Sequence, residues 1–280
     1  MSQRASLAGS EAIVTGGSSG IGKAIAVRLV TAGANVTIAA RREAVLAEAA
    51  QEIERRAGQI CGPLLRGPAV RTAVVDVASK AAVEELAGRF AEEHGSLRYL
   101  INCAGITYPG YFADIPYQVF EEIMAVDYFG VLHMCRSFVP LMKSQGGHIL
   151  NVSSVGGLYG GFGYTAYSAA KFAVIGFSQA LRSEVKRFGI TVSVLCPPDT
   201  DTPQLAFEEP LKPRETKAIA STAGRMSAEI VARAAVRSLS ADRFIVLPGL
   251  SGKASYLAFR LAPGILERYL DRKIRAAARA

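Results

Sequence analysis

TGGSSGIG, residues 15–22, decides how this chain folds. The run lies between an apolar stretch, EAIVT (11–15), and a stretch of helical periodicity. Glycines at 16, 20 and 22 permit a tight turn, backbone approach to a pyrophosphate, and close packing of a helix on a strand. Between them stand Ser18, Ser19 and Ile21. The helix that follows offers free N–H groups and a positive dipole end to an anion. A glycine-rich turn alone says little. Between the first strand and first helix of an α/β chain, Gly16, Ser18, Ser19, Gly20, Ile21 and Gly22 read as the phosphate site of a dinucleotide. The alternative is a structural loop that holds no ligand.

The same alternation continues outward. NVTIAA (35–40), RTAVVDV (71–77), RYLINCAG (98–105), GHILNVSS (147–154) and TVSVLCP (191–197) read as buried strands, and RFIVLP (243–248) as a seventh. Helical periodicity fills 42–56, 79–94, 117–144 and 164–187. Near-continuous apolar strands separated by helices predict a parallel sheet covered on both faces. Right-handed crossovers make it a Rossmann-type, doubly wound α/β fold of about seven strands. No linker divides the chain, so the expectation is a single domain over 1–250 with an amphipathic extension at 251–280. Two segments read as additions: a Gly/Pro insert at 57–68 and an irregular stretch at 200–226 rich in Pro, Thr and Glu.

Composition narrows the function. Half of the 280 residues are hydrophobic, which supplies a core and argues against disorder. The net charge of +8 raises the question of nucleic acid, but the arginines are scattered and no basic run interleaves with aromatics. A basic surface that attracts anionic cofactors or lipid headgroups is the expectation, with no nucleic acid. Cys61, Cys103, Cys135 and Cys196 lie far apart, which fits reduced thiols in the cytoplasm. His94, His133 and His148 lack metal-ligand spacing, and no metal is expected. MSQRASLAGS at the start has no apolar signal region, and no run reaches the roughly 18 apolar residues of a membrane span.

Two stretches carry chemistry. At the end of the second strand a carboxylate would bind the ribose 2′-hydroxyl of NAD, but Arg41 and Arg42 stand there. Guanidinium groups suit a 2′-phosphate, so NADP (as NADPH) is the expected cofactor; solvated helix-start arginines are the alternative. In GFGYTAYSAAK (161–171), Tyr167 and Lys171 are four apart and share a helix face. Either the tyrosine is a proton donor held by the lysine, or the pair is a core tyrosine beside a surface lysine.

NCAG at 102–105, the TGxxxGxG spacing, and Ser154 ahead of Tyr167-x-x-x-Lys171 together resemble the short-chain dehydrogenase/reductase family over about residues 8–248. The resemblance implies that Tyr167 protonates a carbonyl oxygen while NADPH delivers hydride to the carbon. Lys171 would reach the nicotinamide ribose and lower the phenol from about 10 toward neutrality. Ser154 would hydrogen-bond the substrate oxygen, with Ser153 only satisfying backbone. By the same resemblance Asp76 and Val77 lie by the adenine. The Asn102–Gly105 backbone, Ala104 included, lines the cofactor, and Pro197, Thr200 and Thr202 border the nicotinamide. The family usually has an asparagine before strand five, whose backbone holds a proton-relaying water; AVDYFG (125–130) puts Asp127 there. If the backbone carbonyl does that work, aspartate substitutes, and its charge favours ammonium at Lys171.

Within the family, GFGYTAYSAAKFA (161–173), CPPDTDTP (196–203) and KPRET (212–216) resemble reductases of a long-chain amino-ketone lipid. The implied reaction is NADPH-dependent reduction of 3-ketosphinganine to sphinganine. The alternatives are another lipid, steroid or 3-oxoacyl ketone, or a catalytically silent NADP-binding protein. Tyr164 is then a pocket wall or plain packing. Asp199 and Asp201 are candidates to meet the substrate amine, or else solvated loop acids. In 254–280, Leu257, Phe259, Leu261, Ile265, Leu266, Tyr269, Leu270 and Ile274 alternate with arginines around Pro263–Gly264. That segment is either an amphipathic helix in peripheral contact with an anionic membrane or a helix at a subunit interface. The resemblance also implies a homodimer or homotetramer built on 117–144 and 164–187.

Overall fold

The computed structural model describes residues 7–61, 70–220, 224–249 and 251–279. The chain runs β1 (Glu11–Thr15), α1 (Gly20–Thr31), β2 (Asn35–Ala40), α2 (Glu43–Cys61), β3 (Val70–Val74), α3 (Lys80–His94), β4 (Tyr99–Asn102), α4 (Tyr117–Ile123), α5 (Gly130–Met142) and β5 (Gly147–Val152). It continues through α6 (Thr165–Val185), β6 (Ile190–Leu195), β7 (Thr200–Asp201), α7 (Pro203–Glu208), α8 (Arg214–Ala220), β8 (Met226–Ser227), α9 (Ala228–Ser238), β9 (Ile245–Val246), α10 (Ser251–Leu261) and α11 (Pro263–Arg279). Seven parallel strands form one sheet in the order β3-β2-β1-β4-β5-β6-β9. Val14 of β1 aligns with Ile38 on one side and Ile101 on the other.

Helices cover both faces. On one, α1, α2 and α9 pack Ile25, Leu29, Ile53 and Val231 against Val14, Val36 and Ile101. On the other, α3, α5 and α6 pack Phe90, Phe138 and Val174 against Ile13, Leu100, Ile149 and Val192. This two-sided burial is why the strands read as apolar runs rather than as alternating patterns. Strand order reverses between β1 and β4, and the crevice at their carboxyl ends is where such sheets bind ligands.

Several elements differ from the sequence expectation. Strand β3 stops at Val74, and Asp76 and Val77 lie in the loop beyond it. Residues 57–61 extend α2 instead of starting an insert; 62–68 lie outside the described residues. The helix expected over 117–144 is interrupted by a wider π-helical turn, Met124–Phe129. The stretch 200–226 carries two short helices and two short paired strands, with 221–223 outside the described residues. The C-terminal segment is two helices, broken at Ala262–Pro263.

Candidate active site

Two cavities meet over the carboxyl ends of β1 and β4. The first, of about 160 Å³, is lined by Gly16, Ser18, Ser19, Arg41, Arg42, Asp76, Val77, Ala104 and Gly105. The second, of about 180 Å³, is lined by Gly16, Ser19, Gly20, Ile21, Gly22, Gly105, Ser154, Tyr167, Lys171, Pro197, Thr200 and Thr202. Gly16, Ser19 and Gly105 are common to both, so the cavities form one elongated groove over the glycine turn. Gly16 has φ +66°, which side-chain-bearing residues rarely adopt. A Cβ at Gly22 would strike the Gly16 carbonyl, so only glycine lets α1 approach the turn. The Thr15 hydroxyl accepts from the Cys103 and Ala104 amides at 3.0 and 3.1 Å, tying the ends of β1 and β4 together beneath the groove. Shape and donors both fit an extended dinucleotide, with exposed Arg41 and Arg42 at one end.

At the other end α6 brings the chemistry together. Tyr167 lies in its first turn and Lys171 one turn further on, facing the groove. A buried polar chain seats the helix: Asn102 Nδ2 donates to Asn151 Oδ1 (2.8 Å), and Asn151 Nδ2 donates to Ser178 Oγ (2.8 Å). The Asn102 side chain is thus spent on packing, and the residue lines neither cavity. Ser153 donates to the Lys171 carbonyl at 2.9 Å, a backbone role. Ser154 stands at the cavity wall, accepts from the Gly156 amide at 3.0 Å, and hydrogen-bonds the Tyr167 phenol.

Asp127 lies behind this group rather than in the groove. The π-helical turn points its side chain inward, where it is fully buried. One oxygen accepts from the Ile106 amide at 2.8 Å, and the other is 3.0 Å from Lys171 Nζ. Lys171 also donates to the Val152 carbonyl at 3.1 Å. Burial alone would lower the lysine pKa, but Asp127 and the phenol outweigh it and raise it, so the ammonium persists.

The phenol behaves otherwise than expected from the lysine alone. Burial pushes Tyr167 up to about 12, Asp127 and Glu208 add to the rise, and Lys171 and Ser154 only oppose it. The expected lowering toward neutrality is therefore corrected. Asp127 neutralises much of the field that Lys171 would exert on its neighbour.

A third cavity, of about 410 Å³, opens beside Ser154. Its walls include Val155, Tyr159, Phe162, Tyr164, Ile219 and, from the C-terminal helix, Leu266, Tyr269 and Leu270. Arg214 donates to the Ala278 carbonyl at 2.6 Å, clamping α11 on α8, while the Phe259 ring packs tilted at 5.7 Å from that of Tyr159. Part of the apolar face of 254–280 thus closes a cavity; Leu257, Leu261 and Ile265 remain exposed. Asp201 is exposed and lines none of the three cavities, whereas Asp199 lines two. Sequence reasoning missed Glu208, which is buried and accepts the Tyr164 hydroxyl at 2.6 Å. It also missed Lys212, whose ammonium lies 3.7 Å from Asp199. KPRET contained the lysine, but only the folded chain shows what it faces.

Comparison with known proteins agrees with this geometry. The family model for short chain dehydrogenases matches residues 10–210. The 3-ketodihydrosphingosine reductase of Bos taurus is 38% identical over 260 residues, 92% of this chain and 76% of that protein. The 3-dehydrosphinganine reductase of Danio rerio is 40% identical over 240 residues, 85% of this chain and 70% of its own. A 3-ketodihydrosphingosine reductase of Dictyostelium discoideum is 35% identical over 274 residues, 95% and 81% of the two chains. A crystal structure of a short chain dehydrogenase/reductase from Burkholderia phymatum in complex with NAD superposes with a TM-score of 0.79. It covers 93% of this chain and 96% of its own at 24% identity, a likeness of fold.

Proposed function

Because the chain belongs to the short-chain dehydrogenase/reductase family, we propose that it reduces 3-ketosphinganine to sphinganine with NADPH. The observation that carries the proposal is the meeting of Ser154, Tyr167 and Lys171 with a roomy, largely hydrocarbon-lined cavity. A nicotinamide cofactor bound in the groove supplies the hydride. Tyr167, protonated across the physiological range, donates its proton to the carbonyl oxygen. Ser154 hydrogen-bonds the same oxygen as charge develops on it. Lys171 holds a positive charge behind the phenol and stabilises the phenolate left after transfer; Asp127 keeps that lysine charged and in place. The alkyl chain lies in the cavity closed by Leu266 and Leu270.

NADP is favoured over NAD by Arg41 and Arg42, which border the groove and pair with no carboxylate among the described residues. Membrane contact is the role we assign to the exposed Leu257, Leu261 and Ile265, beside Arg260, Arg268 and Arg272. No helix among the described residues is long and apolar enough to cross a bilayer. We assign 1–250 to the reductase domain and 251–280 to an extension that serves its pocket. A homodimer or homotetramer through α4–α5 and α6 completes the proposal. The test is NADPH consumption with 3-ketosphinganine and identification of sphinganine as the product. Absence of turnover with this ketone, alongside turnover of steroid or 3-oxoacyl ketones, overturns the substrate assignment.

A further inference from the structure

Four residues line both the catalytic cavity and the apolar one: Ser154, Pro198, Asp199 and Glu208. Two of the four are carboxylates. Glu208 is only 7% exposed, and the Tyr164 hydroxyl reaches it at 2.6 Å, the length of a charge-assisted O–H···O⁻ bond. The Tyr164 ring lies 5.9 Å from that of Tyr167, so Glu208 is one side chain removed from the proton donor. Lys212 lies 4.0 Å from Glu208 and 3.7 Å from Asp199, but it is also 3.4 Å from Glu209, which Arg225 contacts at 3.1 Å. Three carboxylates therefore share two cations around the junction of the cavities, and burial raises the pKa of Glu208 against the pull of Tyr164 and Lys212.

A buried carboxylate is costly to keep ionised, and a hydrocarbon tail does nothing to offset that cost. An ammonium does. In a 2-amino-3-ketone the nitrogen sits on the carbon next to the carbonyl. A substrate with its oxygen at Ser154 and Tyr167 and its chain in the apolar cavity brings that nitrogen to the junction. We propose that Glu208, held by Tyr164 and backed by Asp199, receives the substrate ammonium and selects 2-amino ketones over plain ketones of equal length. The proposal rests on the reductase function above and adds the group that distinguishes its substrate.

The test compares wild type, Glu208→Gln and Asp199→Asn on 3-ketosphinganine and on its desamino analogue of the same chain length. Glutamine keeps the volume and can still accept from Tyr164. The expected result is a fall of about 10–100-fold in the kcat/KM ratio of amino to desamino ketone for Glu208→Gln, the size of a hydrogen bond to a charged group. A smaller fall in the same direction is expected for Asp199→Asn. Sphinganine should also inhibit reduction of the desamino ketone less well in Glu208→Gln than in wild type. A merely structural glutamate would lower both activities together and leave the ratio alone. Wild-type turnover of 3-ketosphinganine with ratios within twofold in both variants overturns the ammonium site and leaves the reductase function standing. A wild type that reduces neither ketone overturns both, and one that reduces only the desamino ketone overturns the site and the assigned substrate.

Discussion

Replacing Asp127 by asparagine removes one charge from a buried pair and little else. The amide has nearly the same shape and can keep accepting from the Ile106 amide, so the change isolates the interaction with Lys171. At 3.0 Å and an effective dielectric of 20, the attraction between the two charges is about 5.5 kcal/mol. Removing one partner of a buried pair typically costs about 3–5 kcal/mol, because the other is left uncompensated. With its oxygen held by the Ile106 amide, the asparagine turns its NH2 toward the ammonium and only the Val152 carbonyl still accepts from it, so we expect about 3–5 kcal/mol. The pH dependence is more diagnostic than the magnitude. In the wild type the lysine pKa is raised, so its contribution is fully present below the unfolded value and is lost only as pH climbs through the folded one. In the variant, desolvation acts on the lysine with less opposition and depresses its pKa. A depressed base contributes stability above its unfolded value of about 10.4 and loses it as pH falls. Urea unfolding of the cofactor-free proteins should therefore give a wide gap at pH 7 that narrows toward pH 10. A gap under about 1 kcal/mol at pH 7, or two parallel pH curves, would refute the assigned electrostatic role of Asp127.

Three further outcomes are expected. Tyr167→Phe should reduce turnover by about 10²–10⁴-fold while NADPH affinity stays near wild type, checked by steady-state kinetics and cofactor titration; retention of half the turnover would remove Tyr167 as the proton donor. Arg41→Ala should weaken NADPH by about 10–150-fold and NADH little, the size of a charged phosphate contact; equal losses would make Arg41 a fold residue. Removal of α11 should lower kcat/KM for a long-chain ketone by roughly 30-fold relative to a short soluble one, since half-buried Leu266 and Leu270 contribute about 1 kcal/mol each. The truncation should also weaken binding to anionic vesicles; equal loss on both ketones with dissociation of subunits would make the helix an interface element.

What was legible in the sequence was what depends on short-range pattern. Strand and helix periods, the spacing of Gly16, Gly20 and Gly22, and the four-residue step from Tyr167 to Lys171 are local facts that survive folding unchanged. What was not legible depends on sums over distant parts of the chain. The wider turn at Met124–Phe129 has no compositional mark, yet it alone turns Asp127 toward Lys171, 44 residues away. Glu208 stands in AFEEP, which reads as a solvated stretch; folding buries it beneath Tyr164 and leaves its neighbour Glu209 half-exposed. The C-terminal segment has the alternation of a surface helix, and its period cannot say that one edge of that face would close a cavity against α8 while another stays in water.

The Tyr167 phenol gathers these distant effects into one quantity. Judged from the lysine four residues on, its proton should be easily lost; judged from the folded site, burial and two carboxylates hold it in place. The second situation suits a donor. In reduction the phenol must arrive at the carbonyl still protonated, and a group near 12 is protonated throughout the neutral range. The same two carboxylates then have separate tasks. Asp127 tempers the lysine from behind, and Glu208 faces the cavity where a cationic substrate would neutralise it. Binding of that cation would weaken the upward push of Glu208 on the phenol and lower its pKa, easing proton release only once the amino ketone is in place. On this account the residue that selects the substrate also readies the acid that protonates its carbonyl oxygen.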